Sequence, residues 1–152
     1  MGKIIKGLRK IILVDDDEDD RDLFSEAFEN VKVQAELLLY KNGQELIDCI
    51  DEIDRSIPTF IFLDLNMPVL SGMEVLKRLK STLCLKNIFV TMYSTSSSEN
   101  DVESAYLNGA NGYLIKPSSF NQLTRLILKT LTIGSDHTGK QLPKDKFMLN
   151  RD

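Results

Sequence analysis

With 152 residues, the chain has room for one compact domain with its own hydrophobic core and little more. Its formal net charge of −4 is unevenly distributed, with +4 on residues 1–10, +1 on residues 132–152 and −9 on the body between them. An acidic body argues against direct binding to DNA or RNA, because contacts to phosphates require a basic surface. No stretch approaches the roughly 20 apolar residues of a membrane span. The N-terminal apolar run is too short for a signal peptide, so we expect a cytoplasmic protein.

Five short, mostly apolar runs alternate with stretches of helical spacing. The runs are residues 11–14, 37–39, 60–63, 88–92 and 113–115. After each run, apolar residues recur every three or four positions, within 23–31, 46–53, 75–83, 102–106 and 123–131. This alternation predicts an α/β fold, a doubly wound five-stranded parallel sheet with helices on both faces. The natural strand order is 2-1-3-4-5, which places strands 1 and 3 side by side.

The third run ends at a carboxylate, Asp64, and Pro68 follows shortly after it. Ligands of such sheets bind at the carboxyl ends of the strands, where strand 1 also ends in six consecutive acidic residues, 15–20. We expect Asp15 and Asp16 to finish strand 1 and residues 17–20 to cap the next helix. Carboxylates gathered in one pocket repel one another unless a cation is bound, and Mg²⁺ suits such oxygen ligands.

Strands 4 and 5 bring a hydroxyl and an ammonium group to the same end of the sheet. Strand 4 ends at Tyr93-Ser94-Thr95, and strand 5 ends at Lys116. A carboxylate nucleophile, a divalent ion and a positive charge are the parts needed to accept a phosphoryl group, whose transfer depends on positioning and charge neutralisation.

These motifs, in this order, resemble the receiver domains of two-component response regulators. The resemblance rests on Val14-Asp15-Asp16, Asp64-Leu65-Asn66-Met67-Pro68 with Gly72 after it, Ser94, and Gly-Ala-Asn-Gly-Tyr-Leu-Ile-Lys-Pro at 109–117. It implies a flavodoxin-like receiver domain at residues 10–131. A basic extension at 1–9 precedes this domain, and a polar tail at 132–152, with no output domain, follows it. The tail has one apolar cluster, 147–149, and is either disordered or a short segment that docks on the body or on a second subunit.

The resemblance implies roles for the acidic residues. Asp64 would accept the phosphoryl group. Asp16, Asp64 and the main-chain carbonyl of Asn66 would ligate Mg²⁺ or Mn²⁺, and Asp15 would hold the ion mainly through water.

It also implies a switch at strands 4 and 5. Lys116 would pair with a phosphoryl oxygen, Ser94 would swing to hydrogen-bond to the phosphoryl group, and Tyr113 would follow by turning inward. This shift would alter the surface of helix 4, strand 5 and helix 5, the expected contact for a partner. In the family, the Lys-Pro peptide bond is usually cis.

The function implied is that of a stand-alone response regulator, with no enzymatic activity beyond its own phosphorylation and dephosphorylation. Its donor would be a sensor histidine kinase or a phosphotransfer protein, and its target an unidentified protein. We expect no direct binding to DNA or membrane, and a monomer or weak homodimer. A phosphatase of the haloacid dehalogenase type is disfavoured because its second Asp is replaced by Asn66. A module that binds its partner without phosphorylation is the remaining alternative, with Thr95 as its only hint.

Thr95 departs from many receivers, which have a small Ala or Gly directly after the switch hydroxyl. A β-branched side chain there would narrow access to the phosphoryl site or hinder the movement of Tyr113. We predict that Thr95→Ala changes the rate of autodephosphorylation, measured as the decay of the phosphorylated protein by intact mass. An unchanged decay rate would contradict this prediction.

Overall fold

The structure is a computed structural model that describes residues 7–82 and 86–151. Its strands are β1 (Arg9–Val14), β2 (Ala35–Tyr40), β3 (Thr59–Asp64), β4 (Ile88–Ser94) and β5 (Gly112–Ile115). Its helices are α1 (Glu18–Glu29), α2 (Gly43–Cys49), α3 (Gly72–Thr82), α4 (Glu99–Leu107) and α5 (Phe120–Ser135). The five parallel strands form one sheet in the order β2-β1-β3-β4-β5, which confirms the predicted topology.

The central strands β3 and β4 are buried along their whole length. Alternate side chains of β3 enter two separate cores, because successive residues of a strand point to opposite faces. Phe60 and Phe62 belong to the core that includes residues of α1 and α5. Ile61 and Leu63 belong to the core that includes residues of α2, α3 and α4. A continuously apolar strand is therefore the expected sequence for the middle of this sheet.

Polar residues mark the helix starts. The side chains of Asp17, Asn42, Ser98 and Ser119 each accept a hydrogen bond from a backbone amide in the first turn of α1, α2, α4 and α5. Each capping residue defines where its helix begins, because its side chain bonds to an amide that has no partner inside the helix. No helix among the described residues is long and apolar enough to cross a membrane.

The C-terminal part of the chain packs on the domain. Helix α5 continues to Ser135, four residues past the predicted end of the receiver domain at 131. Residues 140–151, which we call the C-terminal segment, lie against β5, and their side chains Leu142, Phe147 and Leu149 are buried. Of the two alternatives for the tail, disorder or docking, the structure shows docking on the body of the domain. Residues 1–6 of the predicted basic extension lie outside the described residues.

Gly134 lets α5 lie directly on the phenylalanine side chains of the sheet. A Cβ atom at this position would lie 2.5 Å from Cε2 of Phe60 and 3.1 Å from Cγ of Phe89. We predict that Gly134→Ala lowers the free energy of unfolding by about 1–3 kcal/mol, because overpacking outweighs the gain in helix propensity. Urea denaturation measures this change.

Leu128→Ala is the control, since Leu128 is an exposed residue of the same helix. We expect it to change the free energy of unfolding by about 0.5 kcal/mol or less. Equal losses for the two variants would contradict the packing argument.

Candidate functional site

Four strands deliver their last residues to one end of the sheet. Val14 pairs with Leu63, so Asp15 leaves β1 beside Asp64 at the end of β3. Asp64 pairs in turn with Tyr93, one residue before the end of β4. The register between β4 and β5 places Ser94 next to Lys116, because the amide of Lys116 donates to the carbonyl of Ser94 at 2.8 Å. The structure thus brings the acidic residues, the hydroxyl and the ammonium group together.

The acidic residues form a compact cluster. Asp15, Asp16 and Asp64 each offer a carboxylate oxygen, and these three oxygens lie within 4.8 Å of one another. Asp15 and Asp64 are buried, whereas Asp16 is exposed. Three carboxylates converging from β1 and β3, with one of them open to water, form a donor set that fits a hard divalent cation. Asn66 is an exposed residue of the loop after β3, and the role of its carbonyl stays a prediction.

The proton affinity of Asp64 reflects this crowding. Burial and the negative charge of Asp15 raise the pKa of Asp64 to about 7, although Lys116 acts in the opposite direction. The ionised form of Asp64 is therefore disfavoured as long as Lys116 is the main nearby positive charge. A divalent cation in the cluster would favour that ionised form, which is the nucleophilic one.

Lys116 reaches the cluster from the end of β5. Its Nζ atom lies 2.8 Å from Oδ2 of Asp15, 2.8 Å from Oδ2 of Asp20 and 3.7 Å from Oδ1 of Asp64. The ring of Tyr93 lies beneath the ammonium group, 5.2 Å from ring centroid to Nζ. Burial alone would lower the pKa of Lys116, but the hydrogen bonds to Asp15 and Asp20 outweigh it and raise the pKa. Lys116 is therefore charged and held closer to Asp15 and Asp20 than to Asp64.

The contact between Asp20 and Lys116 is the part of the site that the sequence analysis missed. The sequence predicts a capping role for all of residues 17–20, but Asp17 alone is the N-cap, accepting from the amides of Asp19 and Asp20. The carboxylate of Asp20 turns to Lys116 instead. No helical spacing singles out Asp20 in the sequence, because Asp15 and Asp16 precede the helix, whose N-cap is Asp17.

The predicted switch residues lie in a chain of hydrogen bonds. The hydroxyl of Ser94, which is buried, accepts from the amide of Ser96 at 3.0 Å. The hydroxyl of Tyr113 donates to the carbonyl of the same Ser96 at 2.9 Å. The Tyr113 side chain is fully buried in this structure, so its ring lies inside the domain. Its predicted inward turn in response to phosphorylation stays a prediction. Thr95, between the two serines, is exposed.

Two further features of the site follow from its loops. Gly72 packs against the backbone of Asp64, where any Cβ atom would overlap the Asp64 carbonyl oxygen. Its amide donates to the carbonyl of Leu65 at 2.9 Å, which holds the loop after β3 close to the site.

The expectation of a cis bond between Lys116 and Pro117 is wrong, since every peptide bond among the described residues is trans. The two isomers before proline differ little in free energy, so either is accessible to this sequence type.

Comparison with known proteins agrees with this geometry. A sequence profile of the response regulator receiver domain matches residues 11–128. The probable methanogenesis regulatory protein FilR2 of Methanothrix harundinacea is 35% identical over 120 residues, 77% of each chain. The response regulator Rcp1 of Synechocystis is 32% identical over 121 residues, 77% of this chain and 82% of that protein.

Two solved structures show the same architecture. The phosphorylated cyanobacterial phytochrome response regulator RcpA superposes with a TM-score of 0.72 at 32% identity, covering 85% of this chain and 96% of that one. The Mn²⁺-bound form of Rcp1 superposes with a TM-score of 0.68 at 29% identity, covering 81% of this chain and 91% of that one.

Substitutions at two neighbouring acids distinguish a metal-ligand role from a general effect of negative charge on metal binding. We predict that Asp16→Asn weakens Mn²⁺ binding by roughly tenfold or more, because it removes one carboxylate of the cluster. Asp17→Asn is the matched control, since it removes the same charge from the next residue and Asn retains the helix cap. Isothermal titration calorimetry measures both affinities, and equal weakening would argue against a ligand role for Asp16.

Proposed function

Because this chain belongs to the family of response regulator receiver domains, we propose that it is a phosphorylation-controlled switch of two-component signalling, with Asp64 as the phosphoacceptor. The observation that carries the proposal is the cluster of Asp15, Asp16 and Asp64 facing the ammonium group of Lys116. A carboxylate nucleophile between a cation site and a fixed positive charge is suited to phosphoryl transfer, where charge neutralisation is the main requirement.

In this mechanism a carboxylate oxygen of Asp64 attacks the phosphorus of a phosphohistidine on the donor. A new O–P bond forms, the P–N bond breaks, and the donor imidazole leaves with the electron pair. Asp15, Asp16, Asp64 and the carbonyl of Asn66 would hold Mg²⁺, which would supply charge neutralisation at the phosphoryl oxygens. The existence of a Mn²⁺-bound form of the similar protein Rcp1 supports the binding of a divalent ion by this chain.

Lys116 has to rearrange for this role. Its Nζ atom is closer to Asp15 and Asp20 than to Asp64, so pairing with a phosphoryl oxygen would draw it away from one of these two carboxylates. The negative charge added by the phosphoryl group supplies the driving force for that move. Asp20 would then hold the ammonium group in the resting state.

The switch would act through the peptide of Ser96. When the hydroxyl of Ser94 turns to the phosphoryl group, the amide of Ser96 loses its acceptor, and the carbonyl of Ser96 is the acceptor for Tyr113. A movement at Ser94 is thereby passed to the Tyr113 ring, which would bias the face formed by α4, β5 and α5 between two states.

We propose a sensor histidine kinase or a phosphotransfer protein as the donor and a protein, as yet unidentified, as the target. The phosphorylated form of RcpA supports the acceptor role by similarity. We further propose that the chain acts in the cytoplasm, without direct contact with DNA or membrane, as a monomer or weak homodimer.

The first test is intact mass after incubation with Mg²⁺ and acetyl phosphate. We expect one added phosphoryl group that requires the metal ion and is absent in Asp64→Asn. Asp54→Asn is the matched control, because Asp54 is an exposed acid outside the cluster, and this variant should be labelled like the wild type. If acetyl phosphate gives no adduct, a phosphorylated histidine kinase domain is used as the donor. Failure with both donors would favour a module that binds its partner without phosphorylation.

A further inference from the structure

The ammonium group of Lys116 already has two carboxylate partners in this structure. Its Nζ atom lies 2.8 Å from Oδ2 of Asp15 and 2.8 Å from Oδ2 of Asp20, both within hydrogen-bond distance. The distance of 3.7 Å from Nζ to Oδ1 of Asp64 is too long for a hydrogen bond. A phosphoryl group on Asp64 therefore has to compete with two other carboxylates for the N–H donors of Lys116.

The two carboxylates differ in their relation to the cation site. Asp15 is one of the three members of the acidic cluster, and its side chain is fully buried. Asp20 is not one of those three, and its side chain is 34% exposed. A cation in the cluster would draw on the charge of Asp15, whereas the charge of Asp20 stays available to Lys116. Asp20 is thus the more persistent competitor of a phosphoryl group for Lys116.

The backbone around Asp20 is fixed. Its amide donates to Oδ1 of the N-cap Asp17 at 3.3 Å. The guanidinium group of the next residue, Arg21, donates to the carbonyl of Asp15 at 2.8 Å. These bonds tie the first turn of α1 to the end of β1. The carboxylate of Asp20 is therefore presented to Lys116 from a rigid element, and the ion pair requires little ordering of the chain.

The ring of Tyr93 further stabilises the position in which Lys116 meets Asp20. Its centroid lies 5.2 Å from Nζ of Lys116, within the range of a cation–π contact. Phe24 and Phe62 pack edge to face on this ring, with centroid distances of 5.7 Å and 6.3 Å. Tyr93 is 2% exposed and belongs to the core that includes residues of α1 and α5. The ring is thus a fixed surface beneath the ammonium group.

We propose that Asp20 is a positioning residue that holds Lys116 away from Asp64 and thereby lowers the affinity of the site for a phosphoryl group. The inference rests on the proposed function and adds a residue that regulates the same site. Lys116 gives up its contact with Asp20 when it turns to a phosphoryl oxygen, and the loss of this ion pair offsets part of the new interaction. Removal of the Asp20 carboxylate therefore favours the phosphoryl-bound state.

The first experiment observes the ammonium group in the metal-free, unphosphorylated protein. NMR with ¹⁵N-labelled lysine reports Nζ of Lys116, whose signal is identified by its absence in Lys116→Arg. We expect Asp20→Ala to accelerate the exchange of the ammonium protons with water by roughly threefold or more, because a charged hydrogen-bond partner is lost. Asp19→Ala is the matched control, since it removes the same charge from the same first turn, and exchange should be unchanged. Equal exchange in the wild type and Asp20→Ala would overturn the proposal.

The second experiment measures binding of beryllofluoride, a phosphoryl analogue that attaches to a carboxylate oxygen through beryllium, in the presence of Mg²⁺. Its affinity is obtained by ¹⁹F NMR. We expect Asp20→Ala to bind roughly fivefold more tightly than the wild type, a gain limited by the partial exposure of Asp20. Asp20→Glu restores a carboxylate and should return the affinity to within about twofold of the wild type. Asp19→Ala should remain within the same range.

The outcomes distinguish this inference from the function on which it rests. Equal or weaker binding by Asp20→Ala than by the wild type would overturn the inference and leave the phosphoacceptor role of Asp64 standing. An equal gain in Asp19→Ala would assign the effect to general negative charge and would also overturn it. If neither the wild type nor any variant binds the analogue or becomes phosphorylated, the proposed function fails and the inference fails with it.

Discussion

Asp15 and Asp64 are two carboxyl groups buried side by side, and both can be ionised in a folded protein only when positive charge offsets their repulsion. Lys116 supplies this charge from β5, the last strand of the sheet, at 2.8 Å from Asp15 and 3.7 Å from Asp64. The offset is incomplete, because the pKa of Asp64 is still raised to about 7. The remaining electrostatic demand explains why a divalent cation suits the site, and Asp20 explains why Lys116 is not fully committed to Asp64.

Tyr113 connects this charged site to the opposite side of β5. Its hydroxyl is bonded to the Ser96 peptide, which also contacts Ser94, while its backbone pairs with the C-terminal segment and its ring faces Phe147. One residue thus contributes to the candidate switch and to the docking of the C-terminal segment. The same segment also covers an edge strand that would otherwise expose unpaired amides and carbonyls.

Much of the fold and of the site could be predicted from the sequence. The five apolar runs became the five strands, and the strand order followed from strict alternation with helices. Asp15, Asp16, Asp64, Ser94 and Lys116 are expected together because each ends a strand of one parallel sheet or lies within two residues after it. The role of Asp20 was not expected, since an acid in the first turn of a helix is explained equally well by capping. The docking of Phe147 and Leu149 does not follow from the sequence, because a short apolar cluster in a polar stretch does not specify what it packs against.

The sequence by itself determined what local periodicity and position along a strand can encode: the parallel α/β fold, its topology and the convergence of acidic, hydroxyl and ammonium groups at one end of the sheet. The tertiary structure decided how those groups share charge. It pairs Lys116 with Asp20 as well as Asp15, and it places the Tyr113 ring inside the domain, under Phe147. These outcomes depend on distances between residues as far apart along the chain as Asp15 and Lys116. Such distances arise only when helices and strands pack, because burial and competing partners then determine which contact each polar group makes.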